Sequence, residues 1–336
     1  MLFALAAGCT PNSQQEEPKG KSYFTYFDTV SYVYSYAGDS AERFDDRSAD
    51  VSSILSEYHK LFDVYHEYSG VNNLCTLNKA AGGESLVLDE KLIDFLVYAR
   101  ELYYLTNGEM NVMMGAVLSL WHDCRSAAED DPAGACIPTD AELAAAAEHI
   151  DFSALEIDEE NNTARISDPD ASIDVGALGK GYATEMAAHF LEEDGADGYV
   201  LNIGGNIRII GTKPDGSGWV TGIRDPADTD AFALSLTLAD TSCVTSGVYE
   251  RYFTVDGRQY HHIIDKDTLY PADYFASLTV ITPDSALADC LSTALFCMSY
   301  EEGLALAQEL GDVEVVWIFD NSEIKYTPGV GALITQ

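Results

Sequence analysis

One stretch constrains this chain more than any other: Ile173-Asp174-Val175-Gly176-Ala177-Leu178-Gly179-Lys180-Gly181-Tyr182-Ala183-Thr184, followed by an apolar helical run to Phe190 and Leu191. It reads as a short strand ending in an acid, a turn of three glycines and one lysine, and then a helix. Glycines let a backbone turn tightly and approach a ligand closely. A helix start offers free N–H groups and the positive end of the dipole, which suits a phosphate. Lys180 adds a mobile positive charge. The spacing matches neither the dinucleotide fingerprint nor the Walker loop, so neither mechanism transfers. The competing reading is an ordinary strand–turn–helix corner.

Charge narrows the partners. Of the 336 residues, 56 are acidic and 18 are Lys or Arg, for a net charge of −38. That argues against nucleic acid, whose recognition depends on clustered Lys and Arg. An acidic surface also repels anionic ligands, so a phosphate site needs a metal ion or helix N-termini as a local remedy. Apolar residues make up 47%, enough for a sizeable core. No C-x-x-C pair occurs among the seven cysteines, which speaks against zinc. Cys124 and Cys136 flank a loop and are either a disulfide outside the cytoplasm or two free thiols.

The chain start, MLFALAAGCT, resembles a bacterial lipoprotein cleavage box with Cys9 as the lipidated residue, although the positive n-region is missing. Residues 11–21 read as a flexible tether. The division is therefore a truncated signal and tether over 1–21 and one main domain over 22–336, held to the extracytoplasmic face of the cell membrane by lipid alone. Residues 23–36, rich in Tyr, Phe, Val and Thr, predict a strand or hairpin arm. Val51, Ile54, Leu55, Tyr58, Leu61 and Phe62 mark the buried face of a helix over 49–65, and Leu92, Phe95, Leu96, Ala99, Leu102 and Tyr103 that of a second over 89–106. The polar, aromatic loop 65–78 is a candidate ligand edge. In 109–121 the methionines are either core filling or soft packing around a flat ring. Residues 125–140 read as a loop and 140–149 as an alanine-rich helix.

Further on, strands fall near Leu155, Ala164 and Ile173, then over 198–203, where Gly204-Gly205 either opens the backbone to a ligand or makes a tight hairpin. A meander follows. Asp256-Gly257 between alternating runs is a hairpin signal. His261 and His262 sit on its returning arm, where strand alternation lets at most one face a site. Pro283-Asp284 opens a helix in which Asp289, Ser292 and Thr293 share one face. A carboxylate with hydroxyls offers hard oxygens suited to magnesium; the plainer reading is a surface acid beside a core threonine.

Seven segments in this order carry a resemblance: Phe27-Asp28-Thr29, Glu109-Met110-Asn111, DVGALGKGYA at 174–183, LNIGGNI at 201–207, TSGVYERYF at 245–253, HHIID at 261–265 and ADCLSTAL at 288–295. The chain resembles the ApbE family, the FAD:protein FMN transferases or flavin-trafficking lipoproteins, from about residue 23 to 333. The resemblance implies an α+β fold of mixed, mostly antiparallel sheets with flanking helices. It implies that FAD lies in an elongated cleft with Mg2+ on its pyrophosphate. FMN would pass to a Thr or Ser hydroxyl of an acceptor flavoprotein subunit, with release of AMP. Some members instead hydrolyse FAD to FMN and AMP, and a lipid-anchored FAD-binding protein without chemistry is the remaining alternative.

By the same likeness Asp289 and Thr293, with Ser292 nearby and the Ala177 carbonyl, would hold the metal. Asp174, Lys180, Phe27, Glu109, Met110, Asn111 and Ile263 would contact FAD, Thr245, Ser246 and Gly247 would line the cleft, and His262 would be the base. The chain departs from the family where Phe27-Asp28-Thr29 replaces Met-Gly-Thr, where Asn111 replaces an acid, and after Asp265, where Lys266 follows.

Overall fold

Eight short segments build the main sheet; its inner strands, such as Tyr199–Ile203, Asn206–Ile210 and Ser277–Thr282, are buried along their whole length and so are covered on both faces, while the edge strands stay partly exposed. In the computed structural model, which describes residues 18–36 and 38–335, these segments form one antiparallel sheet. Its spatial order follows chain order: Lys19–Tyr26, Thr29–Ser35, Tyr199–Ile203, Asn206–Ile210, Thr241–Gly247, Ser277–Thr282, Glu314–Ile318 and Ile324–Tyr326. The first strand begins at Lys19, inside the stretch read as tether. The lipid-attachment reading at Cys9 falls outside the described residues. Among the described residues no helix is long and apolar enough to cross a membrane.

Side-chain parity divides the sheet between two cores. Val244, Leu278 and Val280 face a layer with Ala288 and Leu291 of the helix Ser285–Ala294 and with Leu295 just after it. Cys243, Ile281 and Val316 face the opposite layer, where the separate ribbon Trp219–Arg224 with Phe232–Leu238 supplies Trp219, Ile223, Leu236 and Leu238. The long insertion after the second strand carries the helices Ala41–Phe62, Glu90–Leu105, Gly115–Asp130 and Gly179–Glu193. Ser40 caps the first by accepting the Arg43 N–H, so that helix starts well before residue 49. Its buried Val51, Leu55, Tyr58, Leu61 and Phe62 match the periodicity of the sequence. Met110, Met113 and Met114 are buried, so the methionines fill core.

Three expectations fail locally. The stretch 125–130 is helical rather than loop, because burial of Val117, Trp121 and Ala128 carries the helix from Gly115 through to Asp130. No strand forms at Ile173; that segment is held in place by Asp174 N–H on the Val112 carbonyl (2.8 Å) and Ile173 N–H on Asn78 Oδ1 (2.7 Å). Gly204-Gly205 makes the tight hairpin, with Ile203 paired to Asn206 and both glycines at positive φ.

Candidate active site

The glycine-lined corner and the late helix Ser285–Ala294 meet. A Cβ built on Gly181 would lie 2.3 Å from Asp289 Cβ and 2.5 Å from the Ser285 carbonyl oxygen. Only a residue without a side chain permits that crossing. The close approach lets the Gly181 N–H donate to Asp289 Oδ2 at 2.8 Å. Lys180 Nζ stands 4.0 Å from the same oxygen and 3.2 Å from the Gly176 carbonyl oxygen. The helix Gly179–Glu193 begins without a side-chain cap, leaving its start open to an anion.

Asp289 is 4% exposed. Burial raises its pKa above the ordinary carboxylate value, and Lys180, the Gly181 N–H and the Asn206 amide only partly oppose this. Asn206 Nδ2 is itself buried without a full hydrogen bond. A carboxylate so placed favours an incoming cation. The oxygens that the resemblance offers to a metal, namely the Asp289 carboxylate, the Thr293 hydroxyl four residues on and the Ala177 carbonyl, are all hard donors. That set fits magnesium. Thr293 makes no side-chain hydrogen bond among the described residues, whereas the Ser292 hydroxyl is committed to the Asp289 carbonyl (2.9 Å) and to Ser246 Oγ (2.8 Å). Ser292 therefore braces the helix against the sheet.

A cleft of about 470 Å3 opens beside this junction. Phe27, Asp174, Lys180 and His262 line it, and so do Asp28, Tyr65, Trp121, His122, Arg125 and Arg251. Five of the seven histidines border it, namely His59, His66, His122, His261 and His262. Lys180, Arg125 and Arg251 share this lining with Asp28, Asp63 and Asp174, so the hollow gathers cations that an anion can meet without carrying a net formal positive charge. Both His261 and His262 reach the cleft, contrary to the alternation argument, because the strand Arg258–His261 ends before His262.

The two rings differ in what is left free. His261 Nε2–H donates to the Ala272 carbonyl at 2.8 Å and its Nδ1 accepts the Ile263 N–H at 3.2 Å, so both nitrogens are occupied. His262 Nδ1 lies 3.3 Å from the Arg251 carbonyl oxygen, which can only accept, so Nδ1 carries the proton and Nε2 keeps a free lone pair. The His262 ring is open to the cleft yet walled by protein. That burial, with the charges of Arg251, Lys180 and His261, pushes its pKa down to about 3. It is neutral at physiological pH.

The other expected ligand residues lie behind this surface rather than in its lining. Glu109 pairs with Lys266 at 3.2 Å, and burial raises its carboxyl pKa. Met110 and Ile263 are core residues. Asn111 braces two turns, donating to the Ile150 carbonyl at 2.9 Å and accepting the Met113 N–H at 2.9 Å. Thr245 Oγ1 bonds Thr279 Oγ1 at 2.8 Å, and Gly247 pairs with Ser277 in the sheet. Sequence reasoning missed Arg125 and the convergence of histidines from three regions; the tyrosines of the 65–78 loop were the one local signal. At the rim, Phe27 and Asp28 both take positive φ, 54° and 51°. They form the hairpin turn that joins the first two strands.

The family model described as the ApbE family matches residues 27–317. This chain belongs to the ApbE family. It is 31% identical over 303 residues to the FAD:protein FMN transferase of Treponema pallidum, covering 84% of this chain and 82% of that protein. It is 31% identical over 317 residues to the Haemophilus influenzae protein of the same name, covering 92% and 88%. Among solved structures, the ApbE protein of Thermotoga maritima superposes with a TM-score of 0.83 at 24% identity over 95% of this chain and all of that one. The flavin transferase ApbE of Vibrio cholerae gives 0.77 at 24% identity over 94% of this chain. These structures share the fold described above: a mostly antiparallel α+β architecture with flanking helices.

Proposed function

We propose that this ApbE-family chain is an FAD:protein FMN transferase that moves FMN from FAD to a Thr or Ser hydroxyl of an acceptor flavoprotein and releases AMP, with Mg2+ on the diphosphate. The observation that carries the reading is the junction of Gly181 with Asp289, which sets a buried carboxylate beside the cleft where His262 keeps a free nitrogen.

Phosphoryl transfer depends on positioning and charge neutralisation more than on covalent help from the protein. Magnesium, when bound, neutralises the diphosphate; Asp289, Thr293 and the Ala177 carbonyl would hold it. Lys180 and the uncapped helix start take the remaining negative charge. Neutral His262 accepts the proton of the acceptor hydroxyl at Nε2, while the Arg251 carbonyl keeps Nδ1–H turned away. Burial of the Asp289 carboxylate keeps water from competing for it.

The test is mass spectrometry of an acceptor flavoprotein after incubation with the full chain, FAD and Mg2+. The expected result is an acceptor heavier by one FMN with stoichiometric AMP, and strong loss of both with His262→Ala. AMP without modified acceptor identifies a pyrophosphatase instead, and bound FAD with neither product identifies a carrier.

A further inference from the structure

Among the described residues, Arg251 is the cleft cation whose charge the rest of the protein leaves unclaimed, and its backbone is tied to the candidate base. In a chain with 56 acids and 18 Lys and Arg, pairing is the usual fate of a guanidinium. Arg43, Arg47, Arg100, Arg165 and Arg208 all pair with carboxylates. In the cleft itself Lys180 is engaged by the Gly176 carbonyl and approached by Asp289, and Arg125 holds His122 Nδ1 at 3.0 Å. The Arg251 guanidinium makes no hydrogen bond or ion pair among the described residues, and the residue is exposed in the cleft wall.

Its main chain is fixed all the same. The Arg251 carbonyl accepts the His262 N–H at 3.1 Å and lies 3.3 Å from His262 Nδ1, and the next residue, Tyr252, pairs with His261. Arginine and histidine therefore share one anchor, and the guanidinium swings from the point that aims the base.

A base placed at the attacking hydroxyl lies close to the phosphorus under attack. A guanidinium anchored beside it has the reach, and the planar pair of N–H donors, to meet two oxygens of that phosphorus. We propose that Arg251 is a further catalytic residue, donating to the non-bridging oxygens of the FMN phosphorus as the acceptor oxygen attacks. This rests on the FMN-transfer reading. In the step, the acceptor oxygen forms its bond to phosphorus and gives its proton to His262 Nε2. The bridging P–O bond breaks, and AMP leaves with the electron pair. Negative charge on the non-bridging oxygens then sits against a group that needs no reorientation.

The test compares wild type, Arg251→Met and Arg251→Lys in AMP release from FAD with Mg2+ and acceptor, together with equilibrium binding of FAD by flavin fluorescence. Arg251→Met should slow turnover by about a hundredfold or more and weaken FAD binding far less. Arg251→Lys should recover only part of the rate, because an ammonium cannot bond two oxygens in one plane. Added methylguanidine should partly rescue Arg251→Met, which a merely structural arginine would not allow. Thermal melts of both variants should match wild type, since the guanidinium holds nothing in place. Turnover of Arg251→Met within threefold of wild type overturns the inference. A wild-type protein that binds FAD but yields neither AMP nor modified acceptor overturns the transfer reading instead. Because the role of Arg251 is defined by that step, the same result removes it as well.

Discussion

The two walls of the cleft are built on opposite principles. One wall is the start of the helix Gly179–Glu193, which rests on the helix Ser285–Ala294 behind it, where Ala183, Ala187, Ala288 and Leu291 are buried and a glycine lets one helix lie against the other. The other is the hairpin Tyr252–Val255 with Arg258–His261, a two-stranded sheet outside the main one. Phe253 and Tyr260 anchor it on Trp121, while Tyr252, Thr254, Gln259 and Arg258 face solvent. The first wall fixes a carboxylate to within a hydrogen bond. The second presents His262 and Arg251 exposed on the cleft. A metal site requires rigid geometry and a dry setting; a site that receives another protein requires exposure.

The contrast can be broken most severely at the crossing. Gly181→Ala should abolish turnover and lower stability, because the new methyl collides with the Asp289 Cβ and the Ser285 carbonyl. AMP assays and a thermal melt will show it; a variant with wild-type rate and Tm would mean that the helices can part at no cost.

Asp289→Asn should have a smaller effect on the fold and an equally clear one on the metal. Burial raises the Asp289 pKa, so the fold favours its protonated form. The ionised carboxylate therefore detracts from stability at neutral pH, and that deficit shrinks as pH falls toward its folded-state pKa. In EDTA the variant should melt at or above the wild-type temperature, and Mg2+ should raise Tm in wild type only. A variant that melts well below wild type in EDTA would show that the carboxylate stabilises the apo fold.

The smallest expected effect lies at the rim between the walls. Asp28 holds φ 51°, a conformation that glycine adopts without a Cβ penalty. Relief of that strain should outweigh the entropy that glycine adds to the unfolded chain, so Asp28→Gly should raise the urea midpoint by the equivalent of about 0.5–1 kcal/mol and leave AMP formation near wild type. A fall in FAD affinity would show that the side chain, rather than the turn, matters there.

Local signals in the sequence marked several of these parts. The glycines at 176, 179 and 181 announced a corner, the hydroxyls and acid at 289–293 announced a shared helical face, and Asp256-Gly257 announced the hairpin, with both residues at positive φ as its tight turn requires. Helical periodicity set the buried faces of the helices over 49–62 and 90–105. Each of these depends on residues within a turn or two of one another, so a linear reading recovers them.

What the linear reading could not reach depends on distance. Asp289 and Gly181 are 108 positions apart, and only folding brings the carboxylate onto that N–H. The five cleft histidines come from positions 59 to 262, and no period or spacing links them. Alternation excluded one of His261 and His262, but the end of the strand released that constraint and tertiary hydrogen bonds chose which ring keeps a free nitrogen. The helix through Arg125 formed in a stretch that read as loop, because burial of Trp121 and Ala128 outweighed weak local propensity. The sequence by itself determined the fold class, the corner and the helical face shared by Asp289, Ser292 and Thr293, since short-range backbone and side-chain preferences suffice for them. The tertiary structure alone decided which charges converge on one hollow and which are left unpaired, since burial and through-space electrostatics exist only once the chain has folded.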